Sequence, residues 1–275
     1  MIIGIDLGGS STKAVALQGD KVVGNEVIPT TDPLASSIGV MGTIITKLGK
    51  SLSDIEVLAL CGARSTVLPS RILGSEVRKV DEIHAIGLGG AFLSHKEDAL
   101  VVSMGTGTAV VVARKGGTIV EHLCGTGVGG GSVIGLSRRL LNTSDIQLIE
   151  SMAKKGDLTR VNLRVQDVAG GPVGNLVPEA TASNFGGLKD DATGPDLAAG
   201  IFNMVGEVIG MLAVVSAKAT GLQDHVVLVG RLAKIDLLVR HIMRVGQLFN
   251  VKMVVPDLAE YCVAVGAAKF CSATR

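Results

Sequence analysis

The feature that most constrains the fold is a pattern that occurs twice: a short apolar strand, a glycine turn with hydroxyl residues, a second strand, a glycine hairpin and a third strand. The first copy has its turn at residues 8–9 and its hairpin at 19–20, and the second has them at 105–107 and 115–117. Tight glycine turns between short apolar runs are typical of antiparallel strands. No strong sequence identity links the copies, so the repeat is one of pattern only. We expect three antiparallel strands in each half of an α/β protein.

The remaining segments predict helices and buried strands that complete two domains. The spacing of apolar residues predicts helices over residues 34–48, 81–94, 132–141, 145–155, 196–220, 233–249 and 259–270, and strands over 57–61, 226–229 and 251–255. A glycine- and proline-rich stretch, residues 168–192, is expected to be an ordered loop. The polar stretch at residues 95–98 predicts a boundary between an N-terminal domain, residues 1–96, and a C-terminal domain, residues 97–275, with the last helix packing back across it.

Composition excludes several classes of function. The net charge is +1, from 26 basic and 25 acidic residues, and aromatic residues make up 2% of the chain, so neither a nucleic-acid nor an anionic-membrane surface is expected. No apolar run approaches the roughly 18 residues of a membrane helix, and the start, MIIGIDLGG, lacks the basic region of a signal peptide. The cysteines, which have no CxxC or CxC spacing, are Cys61, Cys124, Cys262 and Cys271. We interpret them as reduced thiols in a cytoplasmic protein.

The first glycine turn lies in the sequence DLGGSSTK, which begins at Asp6. Glycines let the backbone approach an anion, and N–H and hydroxyl groups donate to phosphate oxygens. The candidate phosphate-binding residues are Gly8, Gly9, Ser10, Ser11, Thr12 and Lys13. Asp6, at the end of a strand, would hold a hydrated Mg²⁺ through water. Taken alone, the segment is equally well interpreted as a tight turn with solvated hydroxyls.

The second glycine turn occupies the corresponding place in the second half. It consists of Gly105, Thr106 and Gly107. Two such turns that face each other would clamp a triphosphate from both sides. The chain has no GxxxxGK[ST] sequence after a strand, so this is not a P-loop.

A third glycine cluster covers residues 125–131 and opens a predicted helix near Ser132. Such a run would present free N–H groups and the positive end of the helix dipole to an anion. Its GxGxxG sequence does not indicate a dinucleotide fold, because no acid follows at a strand end about 20 residues on. A purely structural loop is the alternative. Gly230 and Arg231 follow a buried strand. They are a candidate site for the edge of a purine base, or an ordinary glycine turn between a strand and a helix.

Together these segments resemble the acetate/sugar kinase–Hsp70–actin superfamily and, within it, the type II pantothenate kinases. The resemblance is carried by DLGGSSTK, VSMGTGTA, GGGSVIGL, IQLIESMAKKGDLTRVNL, TASNFGGL, VGEVIGMLA and AVGAA. It implies a two-domain actin-like, ribonuclease H-like ATPase fold, each domain a mixed sheet flanked by helices. It also implies an enzyme that uses ATP and Mg²⁺ to phosphorylate the hydroxyl of pantothenate in the first step of coenzyme A biosynthesis, and a homodimer formed through the helix at 196–220.

The resemblance also assigns roles to individual residues. Glu82, in VDEIHA, matches the catalytic glutamate, although by itself it is best interpreted as a solvated acid in a helix's first turn. The residues that would flank the nucleotide are Gly129, Gly130, Gly131, Ser132, Val133 and Ile134. Those that would bind the acceptor are Thr106, Thr108, His122, Gly127 and Ile146. His122 stands where the family has a substrate-binding arginine, and Ile146 and Val245 stand where it has aromatic residues.

Three alternatives to pantothenate phosphorylation remain at this stage. The first is a kinase of the same fold for another small hydroxyl acceptor, such as a sugar or a pantothenate analogue, which the His122 departure supports. The second is a non-catalytic nucleotide-binding regulator, against which the presence of Glu82 and Lys13 argues. The third is an iron–sulfur activase, which would need clustered cysteines that the spacing does not provide.

Overall fold

Two mixed β-sheets with helices packed on them form the structure, a computed structural model that describes residues 1–174 and 176–273. The strands are β1 (Ile2–Leu7), β2 (Ser11–Gln18), β3 (Lys21–Pro29), β4 (Val57–Cys61), β5 (Arg71–Ile72), β6 (Ser75–Lys79), β7 (Ala99–Met104), β8 (Thr108–Arg114), β9 (Ile119–Thr126), β10 (Leu163–Arg164), β11 (Thr181–Ser183), β12 (Val226–Val229) and β13 (Met253–Val254). The helices are α1 (Pro33–Lys47), α2 (Glu82–Ser94), α3 (Gly130–Leu141), α4 (Ile146–Ala153), α5 (Val165–Ala169), α6 (Gly194–Thr220), α7 (Asp236–Leu248) and α8 (Cys262–Ala273).

The two sheets repeat one strand order. The first runs β3-β2-β1-β4-β6-β5 and the second β9-β8-β7-β12-β13. In each, three antiparallel strands are followed by two parallel ones, and the first sheet ends with β5, which is antiparallel to β6. This confirms the predicted antiparallel strands and shows that the repeated sequence pattern is a repeated structure. Strands β5 and β6 were not predicted, because β6 (SEVRK) buries only Ser75 and Val77 and carries charges on its other face.

Each half also repeats the turn that follows its central parallel strand. Gly62 follows β4 with φ of 92°, and Gly230 follows β12 with φ of 90°. A Cβ atom added to Gly62 would lie 2.7 Å from the carbonyl oxygen of Leu7, and one on Gly230 would lie 2.6 Å from that of Met104. A short 3₁₀ turn follows in both places, Ala63–Val67 and Arg231–Lys234. Glycine is required because it alone fits a positive φ against a backbone this close.

Helices α2 and α8 exchange sheets. Helix α2 follows the first sheet along the chain but packs on the second, where a Cβ on Gly87 would lie 2.7 Å from the side chain of Val120. Helix α8 ends the described chain but packs on the first sheet, where Gly4 of β1 leaves room only for the backbone of Ala264. The last helix therefore packs back on the sheet of the first half, as expected.

Helices α2 and α8 cross each other at glycine residues. A Cβ on Gly89 of α2 would overlap the carbonyl oxygen of Cys262, and a Cβ on Gly266 of α8 would overlap that of Ala85. In addition, the Cys262 thiol lies 3.6 Å from the Ile86 carbonyl oxygen. The helix backbones are thus in direct contact at the crossing, which joins the two halves.

Helix α6 corrects one sequence expectation. It spans 27 residues and is long and apolar enough to cross a membrane by length and composition alone, although we expected no such segment. Within its most apolar window, 67% of the residues are buried inside the protein. A helix enclosed by neighbours on most sides needs few polar residues, which explains the composition.

The predicted loop at residues 168–192 is ordered in its described part; Asn175 lies outside the described residues. The segment contains β11, which pairs with β10, and a polar network ties it to α6. Asn184 connects the two, because its amide donates to Glu207 at 2.8 Å and its oxygen accepts from Asn203 at 3.0 Å. Asp196 accepts from the backbone N–H of Asp157 at 2.8 Å.

The helix crossing generates a stability prediction. Gly266→Ala should lower the free energy of unfolding by about 1–3 kcal/mol, the usual range for overpacking a tight contact, since the added methyl meets backbone rather than a flexible side chain. Gly42→Ala in α1 is the matched control, because no atom lies within 4 Å of its added Cβ. That variant should gain up to about 1 kcal/mol from helix propensity. Urea unfolding of both variants measures the difference, and equal stability would contradict the described crossing.

Candidate active site

Asp6 lies near the carboxyl end of β1 and is the central acid of the site. It is opposite Lys13 on β2 and beside Cys61 on β4. The Lys13 Nζ is 3.8 Å from the Asp6 Oδ2, and the two residues are only 8% and 9% exposed. The antiparallel register places both side chains on the same face of the sheet.

Burial raises the pKa of Asp6 to about 6. Removal of the carboxylate from water is the largest cause; the positive charge of Lys13 lowers the pKa in part, and the negative charge of Glu82 raises it further. The neighbouring lysine therefore does not compensate fully for the buried charge. A hydrated Mg²⁺ would supply the missing positive charge, since this ion is commonly held by one or two carboxylates together with substrate phosphates. Among the described residues no group of three or more His, Cys, Asp or Glu side chains could hold a metal ion, so Asp6 would bind such an ion through its waters, together with the substrate phosphates.

Glu82 is the first residue of α2, and the cap before it fixes where the helix begins. Asp81 accepts a hydrogen bond from the backbone N–H of His84 at 3.0 Å, and the His84 Nδ1 lies 3.1 Å from the same oxygen. This backbone hydrogen bond is the main reason that the pKa of Asp81 is lowered. Glu82 is exposed, and its charge contributes to raising the pKa values of Asp6 and Cys61. Glu82 is therefore near enough to the carboxyl end of β1 for its charge to act on Asp6 there; its catalytic role stays a prediction.

The first glycine turn offers unused donors. Within the part of the chain that the structure describes, the N–H groups of Gly8, Gly9 and Ser10 make no hydrogen bond. Thr12 differs from the prediction, because its side chain is fully buried and its hydroxyl lies 2.9 Å from that of Thr30. It holds β2 to the end of β3 and is not available to a phosphate.

In the second glycine turn, too, some polar groups are free and others are used within the protein. Gly105 donates to the Gly107 carbonyl at 2.9 Å, whereas the N–H groups of Thr106 and Gly107 make no hydrogen bond to any described residue. Thr108 corrects the prediction that it binds the acceptor. It is 5% exposed, and its hydroxyl donates to the Val128 carbonyl at 2.9 Å, so it fixes the loop after β9.

The third glycine cluster is more structured than predicted. Its first residues belong to β9 and its last to α3. The N–H groups at the start of the helix are bonded and not free as expected, because Gly130 donates to the Gly105 carbonyl and Gly131 to the Thr106 carbonyl, both at 2.9 Å. A Cβ on Gly129 would lie 2.7 Å from the Thr106 carbonyl oxygen. The cluster therefore packs the start of α3 against the second turn.

The other nucleotide-flanking candidates differ in accessibility. Val133 is fully buried, so it supports the loop and does not line it. The Ser132 hydroxyl accepts from the Gly129 N–H and donates to the Gly127 carbonyl, each at 3.3 Å. Ile134 is half-buried. None of these three side chains offers an unused polar group.

The remaining candidates lie at the edges of the site. Gly230 packs against the base of the second turn, and Arg231 after it is exposed. His122 is exposed on β9, and Ile146 is half-buried at the start of α4. Val245 does not line this region, since it packs in the interface of α6 and α7, 2.8 Å from a Cβ built on Gly210.

An apolar cavity of about 430 Å³ lies between α3 and α6, next to the glycine cluster. It is lined by Val128, Ser132, Gly135, Leu136, Met204 and Val208. Sequence reasoning did not find it, because the two helices that form it are far apart in the chain.

The chain matches the model of the Fumble family over residues 98–250. It is 28% identical to the type II pantothenate kinase of Oceanobacillus iheyensis over 226 residues, which cover 79% of this chain and 83% of that protein. It is 26% identical to the type II pantothenate kinase of Bacillus cereus over 250 residues, which cover 88% and 87%.

Solved structures share the fold. The activator of the 2-hydroxyisocaproyl-CoA dehydratase from Clostridium difficile, with bound ADPNP, has a TM-score of 0.68 at 20% identity and covers 98% of this chain and 93% of its own. The ROK glucokinase from Streptomyces griseus, in complex with glucose and AMPPNP, has a TM-score of 0.61 at 13% identity and covers 98% of both chains. These likenesses confirm the actin-like ATPase fold predicted from the sequence.

The raised pKa of Asp6 generates a pH prediction for the ligand-free protein. Because burial raises the pKa of folded Asp6 above the usual value of an aspartate, protonation favours the native state as the pH falls through about 6. Between pH 7.5 and pH 4.5, the wild type should gain on the order of 2 kcal/mol of unfolding free energy relative to Asp6→Asn. Denaturant unfolding of both proteins at the two pH values measures this difference. If the unfolding free energies of the two proteins changed in parallel with pH, the pKa of Asp6 would not be raised in the folded protein.

Proposed function

The chain belongs to the Fumble family, and from that premise we propose that it is an ATP- and magnesium-dependent kinase that phosphorylates the hydroxyl of pantothenate. The observation that carries the proposal is the position of two acids, Asp6 and Glu82, close enough to raise the pKa of Asp6, beside a glycine turn with unused N–H donors. A kinase needs this combination, since phosphoryl transfer depends on positioning and on compensation of charge.

We propose that the two glycine turns hold the phosphates of ATP. The N–H groups of Gly8, Gly9 and Ser10 would donate from the first turn, with the hydroxyls of Ser10 and Ser11, and those of Thr106 and Gly107 from the second. In this arrangement Gly105 and the cluster Gly129, Gly130 and Gly131 shape the second turn. Gly230 and Arg231 would border the nucleoside.

The chemical step is assigned to residues at the end of β1. Glu82 orients the acceptor hydroxyl and takes its proton as the oxygen forms a bond to the γ-phosphorus and the bond to the β–γ bridging oxygen breaks. Lys13 and the turn N–H groups stabilise the charge on the transferred group. Asp6 would hold Mg²⁺ through water, and the bound ion would neutralise charge on the phosphate oxygens.

Domain closure would separate this step from water. We propose residues 1–96 and 97–275 as the two domains, because the strands of the first sheet end at Lys79 and those of the second begin at Ala99. Closure about the α2–α8 crossing would bring the two turns together and exclude solvent, which favours attack by the acceptor.

On the acceptor side, we propose that Thr106, His122, Gly127 and Ile146 face the substrate. Thr106, His122 and Gly127 are exposed in the second turn, on β9 and just after it, and Ile146 is half-buried at the start of α4. His122 provides at most a partial charge near neutral pH, where arginine would provide a full one. Another small hydroxyl compound, such as a sugar or a pantothenate analogue, is therefore the second candidate acceptor.

We also propose that the enzyme is a cytoplasmic homodimer. The long helix α6 exposes an apolar stripe consisting of Val208, Met211 and Val215, of which 37%, 41% and 58% is accessible. A second copy of the chain would cover this stripe.

The proposal of a non-catalytic regulator is less well supported, because Glu82 and Lys13 are both in place. An iron–sulfur role is disfavoured, since three of the four cysteines are buried.

The assignment of Glu82 makes a direct prediction. Glu82→Gln should lower kcat by roughly 10²- to 10⁴-fold, the usual contribution of a positioned general base, and leave the Kd for Mg-ATP nearly unchanged. Glu76→Gln, which alters an exposed glutamate on β6, is the control and should keep full activity. Coupled-assay kinetics and calorimetric ATP binding measure the two quantities. Equal loss of both in Glu82→Gln would assign the residue a structural role.

The function itself is tested by ATP consumption with purified protein and Mg²⁺, with and without pantothenate, beside a panel of sugars and short alcohols. Turnover that requires pantothenate is the expected result. Turnover with another acceptor, but not with pantothenate, would support ATP-dependent phosphoryl transfer and identify a different substrate. ATP binding without turnover on any acceptor would favour the regulator.

A further inference from the structure

We propose that Arg64 binds the carboxylate of the acceptor and so determines its specificity. The inference rests on the proposed function and names a residue of the same site that neither the glycine turns nor the family resemblance assigns. It concerns the 3₁₀ turn Ala63–Val67, which directly follows Gly62 at the end of β4.

The first argument is the internal repeat. Gly62 and Gly230 have the same positive φ, and each packs on the last residue of its half's first strand, Leu7 or Met104. In open α/β sheets, ligands bind beyond the carboxyl ends of the strands. If the turn after Gly230 borders the nucleotide, its counterpart after Gly62 faces the same cleft from the half that carries the acids. An acceptor that reaches Glu82 lies in that cleft.

The second argument is the position of the Arg64 side chain. Its Nη1 donates to the Thr31 carbonyl at 3.3 Å. The preceding residue, Thr30, donates to the Ser10 carbonyl of the first glycine turn at 3.2 Å. The guanidinium therefore lies at the border of the first turn. The 3₁₀ turn is also anchored from the other side, because the Lys79 Nζ donates to the Thr66 carbonyl at 2.7 Å.

The third argument is charge. Throughout residues 1–174 and 176–273, no carboxylate forms an ion pair with Arg64, whose side chain is exposed. Lys13, the other cation near the end of β1, is buried against Asp6. An anionic acceptor that approaches Asp6 and Glu82 meets two negative charges and needs a cation that is still free. Arginine suits this role because its planar fork binds a carboxylate through two parallel hydrogen bonds.

The same fork could bind the γ-phosphate of ATP, so the experiment separates the two anions. It compares pantothenate with pantothenol, in which a neutral alcohol replaces the carboxylate, at saturating ATP, and it measures the KM for ATP separately. The variant is Arg64→Met. Its matched control is Arg71→Met, because Arg71 is also exposed and also donates through Nη1 to a backbone carbonyl, that of Gly74 at 3.1 Å.

In Arg64→Met, the KM for pantothenate should rise roughly tenfold to a hundredfold, as expected for the loss of a charged hydrogen-bonded pair. The KM values for pantothenol and for ATP should stay within about twofold of the wild type, and Arg64→Lys should recover part of the loss. The control Arg71→Met should match the wild type with both acceptors. Thermal unfolding of each variant verifies that it is folded.

Other outcomes overturn the inference in distinct ways. A parallel rise for both acceptors would mean that Arg64 only supports the turn, and a rise in the KM for ATP would place it on the γ-phosphate. Unchanged kinetics would exclude it from the site. If His122→Ala alone raised the KM for pantothenate and not for pantothenol, the carboxylate would lie on β9. If the wild type phosphorylates neither acceptor, the proposed function itself fails, and the inference fails with it.

Discussion

The crossing of α2 and α8 is the contact on which the rest of the site depends. Each helix follows the sheet of one half and packs on the sheet of the other, and their backbones meet at Gly89 and Gly266. Because Glu82 is the first residue of α2, its position beside Asp6 is set by how α2 sits on the second sheet. Backbones in direct contact leave little room for the helices to slide, whereas rotation about the crossing keeps the contact.

The repeated architecture carries an unequal distribution of charge. The registers pair Asp6 with Lys13 in the first half, and the equivalent pair in the second half is Ser103 with Ala109. Both halves keep a glycine turn with unused N–H groups, so both can hold phosphate oxygens through neutral donors. The first half thus has two ionisable side chains at a position where the second half has Ser103 and Ala109. Under the proposed function, cation binding falls to the first half, and the second half supplies shape and backbone donors.

The sequence predicts those features that are local in the chain. The glycine turns, the antiparallel strands and the start of α2 all follow from short patterns of apolar and turn residues, and the resemblance supplied the fold and Glu82. Features set by contacts between distant segments were not visible. By sequence, Thr108 is a polar residue beside a glycine turn, but in the structure its hydroxyl donates to the carbonyl of the distant Val128. Likewise, the N–H groups of Gly130 and Gly131 donate to carbonyl oxygens of the second turn, which is distant in sequence. Strand β6 was missed because pairing with β4, and not its own composition, makes it a strand.

The state of Asp6 shows why such a site is costly before its ligands bind. The pKa of about 6 means that burial disfavours the carboxylate more than Lys13, 3.8 Å away, favours it. A neutral asparagine would avoid this penalty, but it would give a divalent cation only a weak carbonyl ligand. The retained charge makes binding of a cation and its nucleotide more favourable, because the ligand removes a penalty that the free protein already carries. Glu82 adds to the same penalty through its own charge. The burial of Asp6 and the charge of Glu82 therefore act in the same direction, and a bound cation would offset both.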